Sequence, residues 1–304
     1  MQTILVTGAT GFLGTEVCKH LLSLGYQVIG VGRKKYGFLP QEVINHPSFY
    51  FKQLELKNLD EKTFQNFDID SCIHLASMVE YASHDYHDYH DYTITPTLNL
   101  LKLAKSNKLQ KIIYSSTFSV LANSPSLITS EETPVNPNTN YGLSKYICEK
   151  LLEIECLKNP SLSCIVLRFP AIYGVNHLGG IIHTLKEEII NNNPIELYGE
   201  GKYKRNVLYV QDAVNAIIST LHYEKKGYEL FGIGAKESLS VLEIAQKLKA
   251  LLDSQSEIIL SPKKSPNNFD TQIDTTKAQK MLNFTPQDIV EGLKKYTQEI
   301  KEIR

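Results

Sequence analysis

The sequence carries almost no net charge. Its 304 residues hold 32 Lys and Arg against 33 Asp and Glu, a formal balance of -1. A surface so nearly neutral sets up no global field for nucleic acid or for an anionic membrane. Long apolar runs are missing as well, and the first apolar segment, Ile4-Leu5-Val6, follows no basic leader. Neither export nor membrane spanning is expected, so the chain reads as cytoplasmic. Cysteine is sparse: Cys18, Cys72, Cys148, Cys156 and Cys164 are odd in number and include no CxxC pair. That pattern argues against a disulfide framework and for reduced, buried thiols.

What is present is ordinary for a globular protein, with 42% hydrophobic and 21% charged residues. The length slightly exceeds what one hydrophobic core usually serves, so a large domain with a smaller lobe attached is expected. Short β-branched runs at 3–7, 26–31, 49–54, 70–75, 111–115 and 162–168 alternate with helical periodicity at 12–24, about 93–107 and 141–158. This alternation predicts an α/β fold with a doubly wound parallel sheet. The polar stretch 123–140, with Pro125, Pro134 and Pro137, reads as a functional loop delivering the chain to a helix that Thr139 or Asn140 can cap. After about residue 170 the alternation loosens. Helices near 180–192, 211–223, 240–252 and 286–302 are separated by short strands such as 195–198 and 206–210. The expected division is a nucleotide-binding domain over 1–170 and a smaller C-terminal substrate-binding lobe over 171–304, with 205–225 packing back on the first domain.

One segment repeats: His84-Asp85-Tyr86, His87-Asp88-Tyr89, His90-Asp91-Tyr92. Histidine and aspartate are good metal ligands, but a three-residue step drifts by about 60° around a helix and smears the histidines over its surface. No metal site is expected. The repeat follows strand four, where a parallel sheet exposes its ligand edge, so one or two of its rings can line a pocket.

Gly8, Gly11 and Gly14 stand in Thr7-Gly8-Ala9-Thr10-Gly11-Phe12-Leu13-Gly14, directly between a strand and a helix. Glycine permits the tight turn and lets backbone approach a pyrophosphate, whose charge the helix N-terminus favours. This predicts a Rossmann-type dinucleotide site. Its second strand ends in Gly32-Arg33-Lys34-Lys35 and lacks the acidic residue that usually bonds the ribose of NAD. Arg33 can hold a 2′-phosphate in a forked contact, so NADP is expected in preference to NAD.

Tyr141 and Lys145 stand one helical turn apart in Tyr141-Gly142-Leu143-Ser144-Lys145. A phenol titrates near ~10, and bringing it near 7 takes about 4 kcal/mol of preference for phenolate. An ammonium on the same helix face supplies much of that field. Beside a nicotinamide cofactor, the pair implies proton transfer coupled to hydride chemistry.

These residues resemble the extended short-chain dehydrogenase/reductases, in the nucleotide-sugar epimerase, dehydratase and ketoreductase group. The resemblance spans nearly the whole chain: the Thr7–Gly14 fingerprint, His74-Leu75-Ala76, Tyr114-Ser115-Ser116-Thr117, the Tyr141–Lys145 pair, Leu167-Arg168-Phe169 with Ile172-Tyr173-Gly174, and Arg205-Asn206-Val207-Leu208-Tyr209-Val210-Gln211-Asp212. It implies catalytic roles for Thr117, Tyr141 and Lys145. It also implies cofactor contacts from Gly8, Thr10, Gly11, Phe12, Leu13, Gly14, Gly32, Arg33, Lys34, Glu55, Leu56, Leu75, Ala76, Ser77, Ser115, Tyr141, Lys145, Phe169, Pro170 and Ile172. Substrate contacts are implied for Met78, Thr117, Phe118, Tyr141, Tyr173, His177 and Arg205, with Arg205 gripping the diphosphate of a sugar nucleotide. The same resemblance implies a homodimer through the helices near 93–107 and 141–158.

The departures narrow the reaction. Dehydratases of this group follow the catalytic threonine with Asp-Glu, whereas Thr117 is followed by Phe118-Ser119. Elimination therefore lacks its acid/base pair. Thr93 also replaces an asparagine in the helix after the repeat. Reduction of a keto-sugar nucleotide by NADPH, with Tyr141 as proton donor, is the expected activity. NAD-dependent 4-epimerisation is the alternative, and a non-catalytic NAD(P)H-binding regulator is a third.

Overall fold

Seven of the apolar runs form one all-parallel sheet. Its strands are β1 (Thr3–Thr7), β2 (Gln27–Gly32), β3 (Phe49–Gln53), β4 (Ser71–His74), β5 (Lys111–Thr117), β6 (Ser163–Phe169) and β7 (Gly227–Gly232), lying side by side as β7-β6-β5-β4-β1-β2-β3. The computed structural model describes residues 2–80, 82–83, 85–106, 109–122, 128–264 and 269–303. All five residues of β1 and all seven of β6 are buried, as expected for strands covered by helices on both faces. The order reverses between β1 and β4, which register Ile4 against Ser71 and Thr7 against His74. A crevice therefore opens at the carboxyl ends of these two strands.

Helix α1 (Phe12–Ser23) follows β1, α2 (Thr95–Ser106) connects β4 to β5, and α3 (Asn140–Lys158) runs between β5 and β6. Thr139 caps α3, its hydroxyl accepting from the Gly142 N–H at 3.1 Å. The repeat does not enter α2 as a regular helix. Tyr86–Tyr89 makes one α-turn and His90–Ile94 a π-turn before α2 begins. Pro96 gives the reason: it has no N–H for the Tyr92 carbonyl, and its ring crowds that carbonyl, so the ladder slips by a residue. His84 lies outside the described residues, while His87 and His90 are exposed. Among the described residues no group of three or more His, Cys, Asp or Glu gathers to hold a metal.

Past β6 the chain makes a layer of short paired strands. Ala171–Tyr173 runs parallel to Val207–Tyr209, and Ile195–Tyr198 runs parallel to Ile258–Ser261. Around them pack α4 (Gly180–Ile190), α6 (Val241–Leu251) and α7 (Ile289–Ile303). The chain then returns, with α5 (Val210–Leu221) packed against α1 and β7 paired with β6. β7 was not expected, because Glu229 interrupts its apolar pattern. The Glu229 carboxylate is buried, yet Lys277 (3.0 Å) and Lys225 neutralise it. Ile128–Thr129, from the long loop, pairs with Gln272–Ile273 and ties that loop to the C-terminal layer. All five cysteines are buried and free, and among the described residues no helix is long and apolar enough to cross a membrane.

Candidate functional site

The turn after β1 leaves no room for side chains. Gly8 has φ +72, and a Cβ there would lie 2.9 Å from the Ala76 nitrogen on the opposite lip of the crevice; one on Gly14 would lie 2.1 Å from the Gly8 carbonyl oxygen. Gly11 precedes α1 without a side-chain cap, and the first helical turn carries no carboxylate. Uncapped N–H groups at a helix N-terminus, with bare backbone alongside, form a cradle that fits a pyrophosphate. Thr10 fits between Gly32 and Gly37, where a Cβ would meet its Oγ1 at 2.3 Å and its carbonyl oxygen at 2.4 Å respectively. Phe12 packs 5.0 Å from the His177 ring, with Gly174 beside it, so the loop after Tyr173 closes on the cradle. Leu75, Ala76 and Ser77 emerge from β4 across the crevice. The Leu75 and Ala76 N–H groups bond the Thr7 carbonyl (3.2 Å) and hydroxyl (3.3 Å).

His74 anchors this lip. Its Nδ1 lies 2.7 Å from Thr7 Oγ1 and its Nε2 lies 3.1 Å from Thr97 Oγ1. Thr97 donates its own proton to the Thr93 carbonyl (2.9 Å), so the consistent assignment is a neutral imidazole protonated on Nε2. Burial, with the Lys145 charge nearby, pushes His74 down to about 3. Thr93 Oγ1 accepts the Met78 N–H at 3.1 Å and so fixes the start of the substrate-side loop.

The residues expected to be catalytic lie at the end of β5. Lys145 is fully buried; its Nζ donates to the Ser115 carbonyl at 2.7 Å, lies 4.9 Å from the Tyr114 ring centre and 5.9 Å from that of Tyr141. Burial lowers its pKa to about 8, while Cys148 and Glu149 pull the other way. The ammonium is therefore still charged at neutral pH. Thr117, the last residue of β5, accepts the Ser119 N–H at 3.1 Å through its hydroxyl and lies 3.2 Å from Ser119 Oγ. Tyr89, from the repeat, stands 6.4 Å from the Tyr141 ring. Phe118 packs beside Gly232 at the end of β7.

Beneath these residues lies a group that sequence reasoning did not find. Glu149, one turn past Lys145, is buried and receives a forked contact from Arg168 (Nε–Oε1 3.0 Å, Nη2–Oε2 2.7 Å) together with the Ser116 hydroxyl at 2.5 Å. This cluster ties α3 to β5 and β6 beside the carbonyl that holds Lys145. The available signal was the i,i+4 spacing of Lys145 and Glu149, with an arginine inside a strand otherwise wholly apolar at its centre.

Several expected residues sit elsewhere or point differently. Tyr173 does not line the crevice: its ring packs in the core, 5.8 Å from Tyr209 and 5.5 Å from Tyr296, with its hydroxyl against Gly292. Strand alternation places it on the inward face while Ile172 stays half-buried beside it. Arg205 bonds the carbonyls of Lys204 (2.8 Å) and Phe269 (2.6 Å), which fixes its side chain at the edge of the C-terminal layer. Glu55 and Leu56 open a short 3-10 turn whose carbonyls Asn99 holds. Phe169 is buried at the end of β6, and Pro170 follows it into the second layer. Arg33, expected to face a 2′-phosphate, instead lies 4.9 Å over the Tyr92 ring, while Lys34 is exposed on the same loop.

Comparison with known proteins agrees with this geometry. A curated UDP-glucuronate 4-epimerase from Thermodesulfobacterium geofontis is 30% identical over 326 aligned positions, covering 99% of this chain and 97% of the relative. The crystal structure of UDP-glucose 4-epimerase with UDP-glucose from Thermotoga maritima superposes with TM-score 0.89 at 25% identity, covering 99% of each chain. UDP-glucuronic acid 4-epimerase from Bacillus cereus, solved with UDP-glucuronic acid and NAD, superposes with TM-score 0.87 at 27% identity over the full length of both. The model of the NAD dependent epimerase/dehydratase family matches residues 4–234. With the glycine cradle, the Thr117–Tyr141–Lys145 cluster and the seven-stranded sheet in place, the chain belongs to the NAD dependent epimerase/dehydratase family of nucleotide-sugar enzymes.

Proposed function

We propose that the protein is a 4-epimerase acting on a UDP-linked hexose, with NAD retained in the crevice between turnovers. The carrying observation is the buried Lys145 ammonium, 2.7 Å from the Ser115 carbonyl and 5.9 Å from the Tyr141 ring centre. At an effective dielectric of ~20, that separation is worth about 3 kcal/mol to a phenolate. This is most of the ~4 kcal/mol that Tyr141 needs to act as a base near neutral pH. Tyr141 takes the proton of the reacting sugar hydroxyl and later returns it, while the Thr117 hydroxyl bonds the same oxygen and holds it in place. Lys145 stays charged through both directions, and Ser115 fixes where that charge sits. The glycine turn, the α1 N-terminus and the Leu75–Ser77 lip would hold the dinucleotide. NAD, when bound, supplies a hydride acceptor whose reduced form gives the hydride back. Arg205 would meet the diphosphate of the substrate by swinging off the Lys204 and Phe269 carbonyls that hold it here.

The epimerase reading is preferred over keto-sugar reduction because the relatives in the comparison are 4-epimerases, one of them solved with NAD. Nothing among them supports the expected NADP preference. A homodimer through α2 and α3 belongs to the same reading, supported by the exposed Leu98, Leu143, Ile154 and Leu157 on those helices. The test is to incubate the purified protein with UDP-glucose and with UDP-glucuronate, no nucleotide added, and follow the products by NMR. Appearance of a C4 epimer, with NAD released on acid denaturation, is the expected result. Turnover that occurs only with consumption of added NADPH would establish a reductase instead.

A further inference from the structure

The tandem repeat contributes two tyrosines to the described structure that the sheet does not require. Tyr89 is buried, with its hydroxyl within 3.3 Å of the Val79 carbonyl and 2.8 Å of those of Glu80 and Ser83, so it pins the loop leading from β4. Tyr92 lies three residues on, in the π-turn, against the cations that follow β2 and β3. The Arg33 guanidinium lies 4.9 Å over its ring and the Lys57 ammonium 4.7 Å from the same ring centre, 3.3 Å from its hydroxyl. Lys57 also lies 3.8 Å from the Glu55 carboxylate and 3.9 Å from that of Asp91. Of the other cations expected to attract a 2′-phosphate, Lys35 lies 5.5 Å over the Tyr36 ring.

NADP differs from NAD by one dianion on the adenosine ribose. A receptor for it needs a forked guanidinium presented to the ribose and a positive local field. Here the guanidinium is drawn from the end of β2 onto a phenol, and Arg33, Lys57, Glu55 and Asp91 together carry no net charge. A phosphate dianion would meet two carboxylates beside the one forked cation of this loop, which is already occupied, and Lys34 and Lys35 offer it only unforked point charges. We infer that Tyr92 is a specificity-determining residue: by holding Arg33 against its ring, it withholds that cation from a 2′-phosphate and makes the crevice select NAD over NADP. The inference rests on the dinucleotide reading of the crevice given above.

The test equilibrates protein with an equimolar mixture of NADH and NADPH, removes unbound nucleotide and quantifies what is retained by chromatography. Wild type should retain mainly NADH. Tyr92→Leu should raise the retained NADPH/NADH ratio about threefold, the scale of one exposed cation–π contact, whereas Tyr92→Phe keeps the ring and should leave the ratio unchanged. Arg33 is exposed, so Arg33→Ala is safe for folding and should not lower the NADPH share. An unchanged or lowered ratio in Tyr92→Leu, or a lowered NADPH share in Arg33→Ala, would overturn the inference while leaving the dinucleotide site intact. A wild type that retains neither nucleotide would overturn the site itself, and this inference with it.

Discussion

Lys145 should be costing the protein stability in exchange for its chemistry, and Lys145→Met tests this directly. The ammonium is fully buried and titrates near 8 rather than at its ordinary 10.5. At neutral pH that difference corresponds to about 3 kcal/mol of destabilisation. Methionine has a similar length and no charge, so the substitution relieves this cost. It also deprives the Ser115 carbonyl of its donor, a loss of about 1 kcal/mol. A net gain of about 2 kcal/mol should appear as a Tm increase of roughly 4 °C for a chain of this size. Turnover should fall by ~10² or more, because Tyr141 loses the field that tunes it. The pH dependence has a definite sign. Below about 8 both folded and unfolded wild type bind this proton, and the full cost is present. Between about 8 and 10.5 the folded lysine is neutral while the unfolded one remains charged, so wild type recovers stability as pH rises. The variant's advantage should therefore be largest below pH 8 and disappear above 10.5. Thermal melts of both proteins at pH 6.5 and pH 10 decide the matter. A variant less stable than wild type at pH 6.5, or an advantage that grows with pH, would refute the reasoning.

Tyr141→Phe should fold and retain cofactor while losing ~10²–10⁴ of its turnover; a rate near wild type in a steady-state assay would remove Tyr141 from the reaction. Glu149→Ala strands the Arg168 guanidinium in the core and should cost about 3–5 kcal/mol in urea unfolding, and a loss under 1 kcal/mol would show that the pair is solvated. His74 titrates near 3 in the fold, against 6.5 in an unfolded chain. Below pH 6.5 the unfolded state gains a proton that the native state refuses, so stability should fall by about 1.4 kcal/mol per pH unit until pH 3. Comparing the pH dependence of urea midpoints for wild type and His74→Asn isolates this contribution, and parallel curves would assign the loss elsewhere.

The first six sheet strands and the helices between them were legible because each alternation is local: a β-branched run, a turn, an apolar period of 3.6. β7 was not, since Glu229 becomes tolerable in a strand only through Lys225 and Lys277, and Lys277 is 48 residues away in sequence. The π-turn before α2 escaped for a similar reason, as a proline announces a disturbance without saying which way the ladder slips. At the site, Thr117, Tyr141 and Lys145 do converge on the end of β5, because residues at strand ends and one helical turn apart are placed by backbone geometry. Side-chain direction is set by neighbours that spacing does not name. Arg33 was assigned to a phosphate without knowledge of Tyr92, and Tyr173 to the crevice without knowledge that Tyr296 and Gly292 enclose it.

The position of β7 also bears on how the polypeptide emerges during synthesis. Its partner β6 is complete at Phe169, yet the strand that covers its outer edge arrives only with Gly227–Gly232, after the intervening layer has been made. A nascent chain stalled or cleaved between these points would leave the outer edge of a buried, largely apolar strand unpaired, the kind of edge that recruits other chains. Truncation near residue 200 should therefore produce aggregates rather than a soluble nucleotide-binding fragment.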